Sequence, residues 1–167
     1  MKIIVWLVEA TWQACVDAAR DLPAASVTLL HVIDEGVVEA VSGARAGLLG
    51  RAAPGTDTAA RRELLAAQQA LLAAAEGRLG RSAERLAQIG RPARQVLAAC
   101  AGADLLVLAR DGDHVRLGPR SIGHVSRFVL DHASCQVLLV WPDTPPSALP
   151  PDPPPPPPPP HPPGVSS

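Results

Sequence analysis

The stretch Ile3–Ile33, IIVWLVEATWQACVDAARDLPAASVTLLHVI, changes its hydrophobic period twice. Ile3 to Val8 is a near-continuous apolar run rich in β-branched residues, the pattern of a strand covered on both faces. From Thr11, a candidate cap, the small residues Ala14, Cys15, Ala18 and Ala19 recur at helical spacing as far as Leu22, so this helix can lie close to a sheet, and Pro23 ends it. Val27 to Ile33 is a second apolar strand, and the acids Asp34 and Glu35 that follow suit a strand emerging into solvent. Strand, helix and strand in this order form a unit with parallel strands and a right-handed crossover.

The same alternation continues along the chain. Gly36 to Gly55 is long and weakly patterned, and no element is assigned to it. Thr56 or Asp57 then caps a helix with Leu64, Leu65, Leu71, Leu72, Ala75 and Leu79 on one face, while Arg61, Arg62, Gln69 and Glu76 fall largely elsewhere. Glu84 to Ile89 alternates weakly and carries charge, as an edge or short strand does. Pro92 fits the first turn of a helix that runs to about Cys100, with Ala93, Val96, Leu97 and Cys100 facing inward. Asp104–Ala109, DLLVLA, is a buried strand. Ile122, Val125, Phe128 and Val129 mark the apolar face of a last helix, and Cys135–Trp141, CQVLLVW, a last strand. The reading is an α/β domain with a mostly parallel sheet and helices on both faces. Ligands of such sheets bind beyond the carboxyl ends of the strands. Here those ends are Glu9–Thr11, Val32–Asp34 and the loop from Ala109 to Ser126.

A chain of 167 residues suits one domain, placed at residues 1–142. Residues 143–167 collapse into proline, ending PPDPPPPPPPPHPPGVSS, and are expected to be a disordered, extended tail. Such a tract is either a ligand for an aromatic groove on an unknown protein or a solvated tail with no dedicated partner. A net charge of −1 and a pI near 6.5 favour neither nucleic acid nor an anionic membrane as partner. With no Tyr, one Phe and three Trp, there is little aromatic surface on which bases could stack. Cys15, Cys100 and Cys135 are odd in number and widely spaced, which argues against a disulfide framework, and all three read as small buried hydrophobes. No run reaches the roughly 20 apolar residues of a membrane-spanning helix. The apolar run at the N-terminus is too short for a secretory signal and is interrupted by Glu9. A cytoplasmic protein is expected.

The segments VTLLHVIDE, GRPARQVL, ADLLVLARDG and GHVSRFVLDHASCQVLLVW resemble the universal stress protein family, over roughly Met1 to Trp141. The resemblance implies a five-stranded parallel sheet of the adenine nucleotide alpha hydrolase-like kind and a homodimer through the last strand, Cys135–Trp141. It also implies a site for an adenine nucleotide, ATP with Mg2+. Nucleotide-binding members carry a loop of the form G-x2-G-x9-G-[ST], whose backbone N–H groups and following helix N-terminus cradle phosphate. The corresponding positions here are Ala109, Gly112, Gly123 and His124, with ten residues between the second and third where the pattern has nine. Val125 and Ser126 match the two residues after that motif. Glu9 stands where the family has an aspartate near the adenosine, and Val32 where backbone meets adenine. These eight positions form the candidate site, and the altered loop is expected to hold ATP weakly or not at all.

His124 either donates to a phosphate or turns away, since a helix N-terminus disfavours an imidazolium unless an anion offsets the dipole. Arg110, Arg116, Arg120 and Arg127 either neutralise a di- or triphosphate or belong to a solvated loop. Asp111 and Asp113 repel phosphate unless they hold a divalent cation. His31 reads as a hydrogen-bonded core histidine. His114 and His132 have no partner at metal-ligand spacing. Gx4GK[ST] and GxSxG are both absent, so no catalytic residue is named. The leading expectation is a non-catalytic stress-response or regulatory protein. The alternatives are an ATP-binding protein with slow hydrolase or transferase activity, and a ligand-independent interaction module acting through its dimer surface or tail.

Overall fold

The computed structural model describes residues 1–48, 56–114 and 118–143, with backbone alone for residues 42–48, 56–58 and 119. Five strands alternate with helices: β1 (Lys2–Leu7), α1 (Trp12–Arg20), β2 (Ser26–Asp34), α2 (Glu35–Leu48), α3 (Thr56–Leu79), β3 (Glu84–Gly90), α4 (Pro92–Ala99), β4 (Leu105–Ala109), α5 (His124–His132) and β5 (Gln136–Val140). All pairings are parallel, in the order β3-β2-β1-β4-β5. The three apolar runs β2, β1 and β4 therefore occupy the centre, where both faces are covered, and the charged β3 lies at an edge. Register runs from Lys2 opposite Ser26 to Leu7 opposite His31, and from Ile3 opposite Leu105 to Val5 opposite Val107.

Alternation along β1 divides the core. Ile3, Val5 and Leu7 pack with Val27, Leu29, Cys15, Val16, Leu72 and Leu79 beneath α1 and α3. Ile4 and Trp6 pack with Leu30, Val96, Leu106, Leu108 and Val129 beneath α4 and α5. The Arg78 guanidinium donates to both oxygens of Asp17 at 2.8 and 2.6 Å, tying α3 to α1.

Several local expectations are corrected. The segment Gly36 to Gly55, to which the sequence pattern assigns no element, holds all of α2 but its first residue, a helix that the glycines and β-branched valines of EGVVEAVSGARAGL disguise. Its start is marked by Asp34, whose Oδ1 accepts the Gly36 N–H at 2.8 Å, as an N-capping aspartate does. Thr11 precedes α1 but its hydroxyl makes no capping bond. Phe128 is not on the buried face of α5: it is 48% exposed and stacks on His132 with ring centroids 4.1 Å apart, because Val129 and Ser126 take the inward positions. Cys15 and Cys100 are buried, but Cys135 is only half-buried. Burial pushes both buried thiols up to about 12. Leu65, expected on the inner face of α3, is exposed, and Gln68 is buried in its place. The tail from residue 144 onward lies outside the described residues, as does Arg116.

Candidate functional site

The strand order reverses between β1 and β4, since β2 and β3 lie on one side of β1 and β4 and β5 on the other. A crevice opens beyond the carboxyl ends of parallel strands at such a point. The structure has a cleft of about 320 Å³ there. Trp6, Leu7, Val8 and Glu9 enter it from the end of β1, and His31 to Asp34 from β2. Leu64, Gln68 and Leu71 of α3 roof one side, and Pro92, Asp111 and Val125 close the other.

At the mouth of the cleft, His31 Nε2 lies 3.0 Å from Glu9 Oε1. A carboxylate only accepts, so Nε2 carries the proton and donates. The other ring nitrogen of this buried histidine, Nδ1, has no hydrogen-bond partner. The bond from His31 holds the Glu9 carboxyl below its ordinary value of 4.5, against burial, which raises it. Beside them, the Gln68 amide donates to the carbonyls of His31 and Gln88, both at 3.0 Å, joining α3 to β2 and β3.

The loop after β4 has a different character. Gly112 N–H donates to Ser121 O at 3.1 Å and Asp113 N–H to Arg120 O at 2.8 Å, so the two limbs of the loop are paired with each other. A Cβ at Gly112 would collide with the Arg120 carbonyl and come within 2.8 Å of the Ser121 carbonyl carbon. The space that a glycine leaves open there is filled by the chain's own backbone. At the N-terminus of α5, Asp111 Oδ1 accepts the Gly123 N–H at 2.7 Å and Oδ2 accepts the Ser126 hydroxyl at 2.9 Å. A Cβ at Gly123 would lie 2.9 Å from both of those oxygens. Arg110 turns the other way, donating to the Ser121 hydroxyl with its guanidinium carbon 4.5 Å above the Trp141 ring.

Of the eight expected site positions, Glu9, Val32 and Val125 line the cleft. Ala109 is the buried last residue of β4. Gly112 is packed inside its loop, Gly123 caps α5, His124 is exposed on the first turn, and Ser126 is buried against Asp111. None of these five is among the lining residues. Trp6, Gln68 and Asp111 were not among the expected positions. Trp6 is hidden in sequence by the apolar run around it, and Asp111 finds its partners only 12 and 15 residues away. Among the described residues, no group of three or more His, Cys, Asp or Glu could hold a metal ion. No helix among them is long and apolar enough to cross a membrane.

Comparison with known proteins follows the same outline. The model of the universal stress protein family matches residues 9–140. No curated protein sequence matches significantly. Similar solved structures include the hypothetical protein MJ0577, 19% identical, with 84% of this chain and 94% of that one covered and a TM-score of 0.62. The hypothetical protein PH0823 is 18% identical, with 84% and 94% covered and a TM-score of 0.59. A universal stress protein in complex with cAMP is 18% identical, with 86% and 98% covered and a TM-score of 0.57. At these identities the likeness concerns the fold.

Proposed function

Because the chain belongs to the universal stress protein family, we propose that it is a non-catalytic regulatory protein that takes the adenosine part of an adenine nucleotide in its switch-point cleft and holds ATP weakly or not at all. The observation that carries this reading is the contrast between the two halves of the site. The adenosine half is an apolar-walled cleft of about 320 Å³, within the range of about 300–1,000 Å³ usual for ligand pockets. In the phosphate half the amides of Gly112, Asp113 and Gly123 are already bonded within the chain. That a structural neighbour was solved with cAMP supports an adenine ligand for the cleft.

The phosphate-cradle positions do not fit a triphosphate. Ala109 adds a methyl group where the motif has glycine, and Gly112 has no room beside it. Losing two or three hydrogen bonds to a charged ligand, at about 1.5–3 kcal/mol each, weakens a micromolar site by two orders of magnitude or more. Calorimetric titration with ATP and Mg2+ is expected to give a dissociation constant of about 100 μM or weaker. Low-micromolar binding would refute this reading, and phosphate release from ATP would favour a slow hydrolase instead.

The regulatory unit in this proposal is a homodimer through β5. Support comes from its position at the sheet edge, with β4 on one side, and from the half-buried Val137, Leu138, Leu139 and Val140. A cytoplasmic setting, where thiols stay reduced, suits the three free cysteines.

A further inference from the structure

We propose that Asp111 is the residue that sets ligand choice in this cleft: its carboxylate occupies the place of a phosphate, so the site selects an uncharged adenine nucleoside over a nucleotide. The inference rests on the reading above that the cleft takes adenosine, and it adds a named determinant and a direction of selectivity against the phosphate-bearing forms.

The free N–H groups and dipole of a helix N-terminus favour an anion, and a phosphate would normally answer them. At α5 the anion is already present. Asp111 bridges the Gly123 N–H and the Ser126 hydroxyl with one oxygen each, at 2.7 and 2.9 Å. Gly123 is what allows the approach, since any side chain there would sit 2.9 Å from both carboxylate oxygens. Asp111 also lines the cleft. A phosphate group reaching for these donors must first displace a carboxylate of its own sign of charge.

The remaining charges agree. Among the described residues, the cleft is lined by three carboxylates, Glu9, Asp34 and Asp111, and by no Lys or Arg. Arg110, the nearest cation in sequence, is committed to Ser121 and Trp141. Carboxylates only accept hydrogen bonds, and in the neutral imidazole the unpartnered Nδ1 of His31 is a further acceptor. An acceptor-rich, acidic cleft with Trp6 and aliphatic walls matches a ligand with an apolar ring and several O–H and N–H donors, which describes adenosine. It opposes a ligand whose polar end is a cluster of anionic acceptors.

The test uses the full chain and three probes: adenosine, ATP with Mg2+, and inorganic tripolyphosphate, each titrated calorimetrically. The wild-type protein is expected to bind adenosine more tightly than ATP. Asp111→Gly frees the Gly123 N–H and the Ser126 hydroxyl, and should lower the ratio of ATP to adenosine dissociation constants by roughly ten- to hundredfold, the worth of one or two charged hydrogen bonds. It should also confer tripolyphosphate binding that the wild type lacks. Asp111→Asn keeps the size and removes the charge, and a smaller shift in the same direction is expected even if the glycine variant folds poorly. Wild-type binding of ATP as tight as that of adenosine overturns the proposal, as does an unchanged ratio in a folded Asp111→Asn. Failure of adenosine to bind either protein would remove the nucleoside reading and its selectivity, whereas tripolyphosphate capture by Asp111→Gly alone would still uphold the carboxylate as the phosphate's stand-in.

Discussion

Glu9 and His31 show how one side chain at a strand end can set the chemistry of a cleft mouth. The Glu9 carboxyl is held low chiefly by the bond from His31. A carboxyl whose folded value is depressed adds stability that is fully present above its unfolded value, here 4.5, and lost as pH falls through the lower folded value. Glu9→Gln should therefore destabilise the protein at pH 7, and the variant and wild type should converge as pH falls through the depressed folded value. The effect is expected to stay below about 1 kcal/mol, because the Glu9 side chain is 74% exposed and solvent screens the pair. Thermal melts across this pH range check it. A gap that stays equal from pH 7 down to the acid end of the range would show that the charge on Glu9 is not the cause. The position of Glu9 was legible in the sequence, since it ends an apolar run. The buried partner was not, because His31 lies 22 residues away and meets Glu9 only where β1 and β2 pair.

Among the elements, α3 carries most of what the sequence left unstated. Leu72, Ala75 and Leu79 gave its inner face by period alone, yet the buried residue one turn before Leu72 is Gln68. Its amide serves two carbonyls on adjacent strands, which makes it a brace between α3 and the ends of β2 and β3. Gln68→Leu preserves apolar volume and removes both donations, leaving acceptors short of a partner at the cleft. A loss of about 1–3 kcal/mol is expected, read as a lower urea midpoint with an unchanged slope. An unchanged midpoint would show that the carbonyls are satisfied without it. In α2 the difficulty was of another kind. Gly36 and the valines weaken helix propensity, so the start rests on Asp34, which sits at the strand end and reads from sequence as the strand's polar exit.

At the scale of the whole molecule, the sheet has two edges with different fates. β3 carries Glu84 and Arg85, both exposed, and such charges blunt an edge. β5 is apolar from Val137 to Val140. Gln136 N–H donates to Asp104 O at 3.2 Å and Val140 O accepts from Arg110, so even-numbered residues of β5 point their backbone groups toward β4. Val137 and Leu139 alternate with them and point theirs away. Val137→Pro should remove an outward donor without breaking the ladder to β4, because proline is tolerated on the free side of an edge strand. If the homodimer forms through β5, sedimentation at micromolar concentration should show the wild type at twice the mass of this variant, with the circular dichroism of both alike. Equal masses would exclude β5 as the seam.

The sequence by itself determined the layered α/β architecture, since its apolar runs and helical stripes report burial on one or both faces directly, and near neighbours along the chain create that signal. It also marked which strand ends surround the cleft. Its reading of the phosphate loop went only as far as the residue types at each position. Whether those residues face a ligand or one another depended on how the loop closes. Only the tertiary structure placed the Asp111 carboxylate on the α5 N-terminus, paired Gly112 with Ser121, and turned Arg110 toward Trp141. Those contacts join residues far apart in the loop or on separate strands, and they form because buried donors and acceptors must find partners in three dimensions, a requirement that leaves no period in the sequence.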